Sequence, residues 1–194
     1  MKNTKITILA EGAMMIALAT ILSYIRVFKL PWGGSITLLS MLPICLFSIK
    51  RGVKAGLAVS FLFSLVQFGQ GIMDGLFGWG LTPGMLIACI LIDYILAFSV
   101  LGLAGILRNK KLTGWILGIA IAVGLRFVMH FISGCVIWKS FGELWTGFST
   151  ENTYLYSLLY NGAYMLPEML FTIAGAVALL KVPQTAKYLL KNEA

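Results

Sequence analysis

Five ionisable side chains lie inside long apolar runs of this 194-residue chain: Glu11, Asp93, Arg126, His130 and Glu168. A charge held away from water is costly, so such a residue marks either a site or a structural pair. Asp93 comes eleven residues into the run Thr82–Leu107, roughly 16 Å along a helix. Arg126 falls at a similar depth on the next, antiparallel run. His130, the only histidine, follows it at i+4 on the same face. Two readings stand side by side. One is a structural Asp93–Arg126 ion pair; the other is a polar pocket in which carboxylate, guanidinium and imidazole meet a charged or polar ligand. Glu11 and Glu168 suit helix ends and subunit contacts as well as they suit a site.

The aromatic residues bear on that choice. Trp32 lies in the first connection, Tyr94 follows Asp93, Trp138 stands about two helical turns beyond His130, and Tyr156 and Asn161 open the last apolar run. Taken singly, aromatics at such places serve as membrane-interface anchors. Gathered around a mid-span carboxylate, they suit a flat, cationic, heteroaromatic solute. Rings stack on its faces and attract its charge, a carboxylate offsets that charge, and Asn161 can both donate and accept at a polar ring edge.

Other chemistries find little footing. Cys45, Cys89 and Cys135 fall in three different apolar runs with no CxxC spacing, which suits small packing residues and not a metal or redox site. No GxxxxGK[ST] run occurs, so ATP hydrolysis by that route needs a partner. His130 and Ser133 are spaced i, i+3, yet no GxSxG elbow accompanies them, which argues against a hydrolase. No internal repeat of broken helices marks a stand-alone carrier. The chain is therefore read as a binding protein without catalytic residues, metal or cofactor.

The elements that must hold these residues are membrane helices. The chain is 59% hydrophobic and 11% charged, and its charges cluster between continuous apolar stretches. Stretches of roughly 18 or more residues mark spanning helices, whereas a membrane barrel would alternate over segments of about ten. The fold class expected is an all-α membrane protein, one domain over residues 1–194, with six spans: Ile6–Val27, Ile36–Ile49, Val53–Gln70, Thr82–Leu107, Leu112–Ile137 and Ser157–Leu180. The second is short for a bilayer and calls for tilt or for extension by loop residues. Lys2 and Lys5 ahead of an apolar run mimic a signal peptide, but Glu11 interrupts that run and Ile21 to Ile25 continue it, so it reads as the first span.

Eleven Lys and Arg residues fall on one side of this arrangement and three, Arg26, Lys29 and Lys139, on the other. Basic residues favour the cytoplasm, which places both termini there. The net charge of +8 thus reads as orientation, not as a nucleic-acid footprint. Connections on the basic side are tight. Those opposite, Phe28–Ser35, Gly71–Leu81 and Trp138–Tyr156, are longer and rich in Gly, Trp and Pro, and would meet a ligand from outside. Small residues four apart, Ala13/Ala17, Gly52/Gly56 and Gly114/Gly118, offer close helix contacts.

The stretches Pro31-Trp-Gly-Gly-Ser35, Met41-Leu-Pro-Ile44, Arg51-Gly-Val-Lys-Ala-Gly56, Leu91-Ile-Asp-Tyr94 with Ala97-Phe98, Arg126 to His130 with Ile132-Ser-Gly134, and Tyr156-Ser-Leu-Leu-Tyr-Asn161 with Tyr164-Met165 share an order and spacing. In these the chain resembles, over nearly its whole length, the thiamine-specific substrate-binding (S) components of energy-coupling factor transporters. The resemblance implies six membrane helices and a vitamin site near the outer face, lidded by the first outer loop. Its site residues would be Trp32, Asp93, Tyr94, His130, Trp138, Tyr156 and Asn161. At the acidic position the family also carries Glu, where this chain has the shorter Asp93. The family's alanine pair for partner coupling is matched by Ala13 and Ala17. The partners implied are thiamine, a transmembrane coupling protein and two cytoplasmic ATPase subunits, in a bacterial cell membrane. Another vitamin or a pyrimidine precursor is the rival ligand.

Overall fold

The computed structural model describes residues 4–30 and 33–190. Five helices are long and apolar enough to cross a bilayer. They are α1 (Thr4–Tyr24), α3 (Val53–Met73), α4 (Pro83–Gly105), α5 (Lys111–Ser133) and α6 (Thr153–Lys181). The multi-pass, mostly helical fold class stands. A short helix α2 (Leu42–Arg51) lies between α1 and α3, and α7 (Pro183–Leu190) follows α6. Pro167 sits inside α6 without ending it.

The second expected span, Ile36–Ile49, is corrected. Its first residues are extended: β1 (Arg26–Lys29) and β2 (Ser35–Thr37) form an antiparallel hairpin in what was read as the end of the first span and a loop. Only ten residues from Leu42 onward are helical, roughly 15 Å, half of a bilayer core. Pro43 in the first turn is pre-set for a helix start, and Gly52, at φ 88°, turns the chain directly into α3. Residues Leu42 to Ile49 are all buried, so this half-length helix runs inside the bundle, clear of lipid.

Extended backbone within an apolar bundle needs partners for its polar groups. Glu168 of α6 supplies them: its Oε1 accepts the Thr37 N–H and also the Thr37 hydroxyl at 2.7 Å. Ser40 closes on the same hydroxyl at 2.6 Å. Leu39, between them, adopts φ 61°, a left-handed conformation rare for a branched side chain.

Beyond the joint, packing is close. Ser48 of α2 donates to the Gly102 carbonyl at 2.5 Å and accepts the Gly105 N–H at 3.0 Å, and Ser60 of α3 donates to the Ser99 carbonyl at 2.7 Å. Of the small-residue pairs, Gly56 lies against Ser48 and Gly102, and Gly118 lies against the Ala104 backbone. Ala13 and Ala17 instead share the exposed face of α1 with Leu9, Met14 and Leu18. Glu11, on the buried face, pairs with Lys50 at 3.0 Å and Arg51 at 2.7 Å, which fixes α1 to the end of α2.

Between α5 and α6 a second hairpin, β3 (Gly142–Trp145) with β4 (Phe148–Thr150), lies at the same end of the bundle as the first. That hairpin end is opposite the basic connections.

The glycine contact is testable. A side chain at Gly102 would begin 2.5 Å from the Leu57 backbone nitrogen, whereas nothing lies within 4 Å of one at Gly69. Gly102→Val is expected to cost about 1–3 kcal/mol and lower the melting temperature in detergent. Gly69→Ala should leave it unchanged.

Candidate functional site

A cavity of about 880 Å³ opens at the hairpin end, walled by α1, the first hairpin, α3, α4, α5 and α6. Its volume lies in the range of small-molecule sites. Six of the seven residues expected at a site, Asp93, Tyr94, His130, Trp138, Tyr156 and Asn161, line this one space. Trp32 lies outside the described residues.

Asp93 is at its centre because α4 changes pitch there. The helix is π-wound over Ile90–Leu96, and α5 continues as a second π-turn over Gly134–Trp138. An i+5 turn inserts one residue and re-aims the side chains it carries, a feature frequent at functional positions. Asp93 of the first turn meets Trp138 of the second, and Cys89, His130 and Ser133 of the helix ahead of each turn complete four donors to one carboxylate. His130 Nδ1 lies 2.9 Å from Oδ1, while Ser133 Oγ at 2.5 Å, Trp138 Nε1 at 3.2 Å and Cys89 Sγ at 3.4 Å reach Oδ2. A carboxylate has about four acceptor positions, so Oδ2 is saturated and Oδ1 keeps capacity. Because the carboxylate accepts, the Nδ1 of His130 carries the proton, and Nε2 is left buried without a partner.

Arg126 does not join them. Its guanidinium carbon stands 4.1 Å from the Phe98 ring centre, and Nη1 points at the Met41 sulfur at 2.9 Å. The Asp93–Arg126 ion pair considered from the sequence is absent. Depth was legible there, but the direction of a long side chain was not. The only ion-pair partner of Asp93 among the described residues is the imidazole. The cavity therefore holds a carboxylate fixed by four side-chain donors, with no Lys or Arg against it.

Rings surround this acid. Trp138 meets Trp79 edge to face at 5.5 Å, and Tyr94 meets Phe68 at 5.8 Å. Tyr156, Tyr160 and Tyr164 recur at i, i+4 and i+8 on α6, with centroids 6.2 and 5.9 Å apart, and Tyr164 stands edge-on to His130 at 6.2 Å. The last two tyrosines were not expected at the site, although the i, i+4 spacing from Tyr156 was a signal that could have found them. Asn161 is engaged within the wall. Its Nδ2 donates to the Ser157 carbonyl at 2.9 Å and its Oδ1 accepts from Tyr164 at 2.8 Å. It also donates to the His130 carbonyl at 3.3 Å, tying α6 to α5.

At the mouth, the first hairpin is held at its tip and at its base. Gly34 N–H donates to the Tyr160 hydroxyl at 3.0 Å. Arg26 of β1 pairs with Asp74, just past α3, at 2.5 and 3.1 Å. Deeper, Gln70 donates to Ser23 at 2.8 Å, joining α3 to α1.

The family model described as "Thiamine transporter protein" matches residues 9–188. The chain is 33% identical over 199 residues to the thiamine transporter ThiT of Bacillus subtilis, covering 95% of this chain and 94% of that protein. It is 25% identical over 202 residues to ThiT of Lacticaseibacillus paracasei, covering 93% and 90%. A solved structure of ThiT from Listeria monocytogenes superposes with a TM-score of 0.73 at 26% identity, covering 94% of this chain and 98% of that one.

The mouth pair yields a pH test. The Arg26 guanidinium holds the Asp74 carboxyl below its usual range. A lowered carboxyl pKa stabilises the contact fully above the unfolded value of about 4 and loses it as the pH falls through the lowered value. Asp74→Asn should expose the first hairpin to faster limited proteolysis at neutral pH and abolish the acid-induced rise in cleavage expected of the unaltered chain. An unchanged acid profile in Asp74→Asn would rule the pair out as the hairpin's tether.

Proposed function

The chain belongs to the thiamine transporter family, and from that membership we propose that it is the high-affinity thiamine-binding S component of an energy-coupling factor importer. It is a multi-pass bacterial cell-membrane protein. The observation that carries the reading is Asp93: a carboxylate held by four side-chain donors, ringed by aromatics, with one oxygen still able to accept. Thiamine carries a fixed positive charge on a flat thiazolium ring and a flat aminopyrimidine beside it. A cation leaving water needs a counter-charge and polarisable surfaces, and the cavity offers both.

In this reading the vitamin enters from outside, at the hairpin end, with both termini in the cytoplasm. Asp93 faces its cationic part, and Trp138 and His130 lie against its rings. Tyr156 and Asn161 border its polar edges, and Tyr94 borders the hydroxyethyl tail. Trp32, by resemblance, belongs to the lid over the site. No covalent chemistry occurs. A coupling protein docks on the exposed face of α1 at Ala13 and Ala17, where small side chains permit close approach, and two ATPase subunits drive inward release.

Titrating the purified protein with thiamine while following tryptophan fluorescence should show quenching with a Kd below about 1 μM. Equal responses to riboflavin or biotin, or none to thiamine, would reject the ligand. Asp93→Asn keeps the shape and removes the charge, so affinity should fall at least about tenfold, as for loss of a charged hydrogen bond.

Ala17→Arg separates binding from coupling. Thiamine binding should persist and ATP-driven uptake in reconstituted vesicles should cease. Loss of binding in that variant would mean that the two faces are not independent.

A further inference from the structure

The second hairpin takes no part in the cavity: none of residues 142–150 lines it. Its rings need another account. Trp145 of β3 and Phe148 of β4 are register partners, stacked with centroids 5.5 Å apart and planes 26° apart. Both are exposed, as is Phe141 just ahead of β3. Neither ring of the pair belongs to the apolar core.

The depth of the hairpin follows from the helices that flank it. The 23 residues of α5 and the five of its closing π-turn run from Lys111 to Trp138 and rise roughly 40 Å. α6 has 29 residues, roughly 44 Å, and ends at Lys181. A bilayer with its headgroups is about 40–45 Å thick. With Lys111 and Lys181 at one boundary, Trp138 and Thr153 reach the headgroup zone of the other, and the hairpin connects them there. Lys139, left-handed at φ 46°, stops the helix at that level.

The apolar surface is continuous across this boundary. Val128, Ile132 and Val136 recur at i, i+4 and i+8 on the exposed face of α5, and Tyr154, Leu155 and Leu158 are exposed at the start of α6. In a multi-pass membrane protein such faces meet lipid, and Phe141, Trp145 and Phe148 extend them past the helix ends. In water they would form an apolar patch of a kind that soluble surfaces avoid. A second protein chain fits poorly. A stable interface takes about 20–30 residues a side, whereas the hairpin runs only over residues 142–150. An indole with its polar N–H, near an exposed Lys139, suits the glycerol and phosphate level of a phospholipid.

We propose that the second hairpin is an interfacial membrane anchor, with Trp145 and Phe148 inserted at the headgroup–acyl boundary of a phospholipid leaflet. It holds the end of α5, with Trp138, and the start of α6, with Tyr156, at a fixed depth. The mouth of the cavity then opens at headgroup level and not in bulk water.

A nitroxide label tests the depth. It is attached to the full chain through Trp145→Cys in a Cys135→Ser background, in which the remaining cysteines, Cys45 and Cys89, are buried. The protein is reconstituted in phosphatidylcholine vesicles. Depth is read from collisions of the label with oxygen, which concentrates in lipid, and with a water-soluble nickel chelate. The label at 145 should lie about 5–10 Å below the lipid phosphates. A label introduced by Phe148→Cys should lie at the same depth, and it carries the test alone if Trp145→Cys does not fold. One introduced by Glu151→Cys, beyond the rings, should lie at the phosphates or above them. Labels at the ring positions that meet the nickel chelate as freely as the one at 151 would overturn the anchor. So would dipolar broadening that disappears on dilution with unlabelled protein, because a second copy would then cover the rings.

Discussion

A backbone polar group in hydrocarbon must find its partner inside the protein, and much of this molecule is arranged around one place where the helix that would supply such partners is given up. From Ser35 to Met41 the chain is extended or turning, between the first hairpin and the start of α2. Glu168 takes up the freed Thr37 N–H, and a full helix resumes only at Leu42. What is gained is room. A whole helix at this place would fill the middle of the bundle. A half-length one, buried between its neighbours, leaves the other half for a cavity of about 880 Å³. The close glycine and serine contacts of α2, α3 and α4 occupy the opposite half, so one end of the bundle is dense and the other hollow.

The hollow end then solves a charge problem. Asp93 is kept from collapsing onto a fixed cation: Arg126 is diverted over Phe98, and Arg26 is engaged by Asp74. His130, Ser133, Trp138 and Cys89 hold the carboxylate in place instead. The counter-charge is left to a mobile partner, as a binding protein requires and a structural ion pair does not.

Parts of this were legible in the sequence for physical reasons. Mid-span Asp93 and His130 stand out because hydrocarbon makes them expensive, and Tyr94, Trp138, Tyr156 and Asn161, named with them, line the same cavity. The spans show because apolar length is a direct requirement of the bilayer. The break in the second span was hidden: Ile36–Ile49 is as apolar in an extended-then-helical form as in a continuous helix, and only its shortness hinted at trouble. Arg126 was placed by depth alone, whereas its long side chain selects an aromatic face four residues of helix could not indicate. Glu168 looked like a helix-end residue because its partner, Thr37, is 131 positions away. The second hairpin was read as a loop and the first as a span end, a loop and a span start, since strands of three and four residues leave almost no period to detect.

The π-turn at Ile90–Leu96 has a consequence for how such a chain can change over time. It amounts to an α-helix carrying one surplus residue, and that residue sets the heading of everything after it. Losing a single codon in this stretch would restore ordinary winding and swing the following side chains by about 100° about the helix axis. Substitutions here can be sampled one at a time. A deletion cannot, because it would turn Phe98 and the Gly102–Gly105 surface away from α3 and α2 together. Length in this segment is therefore under a stricter constraint than composition.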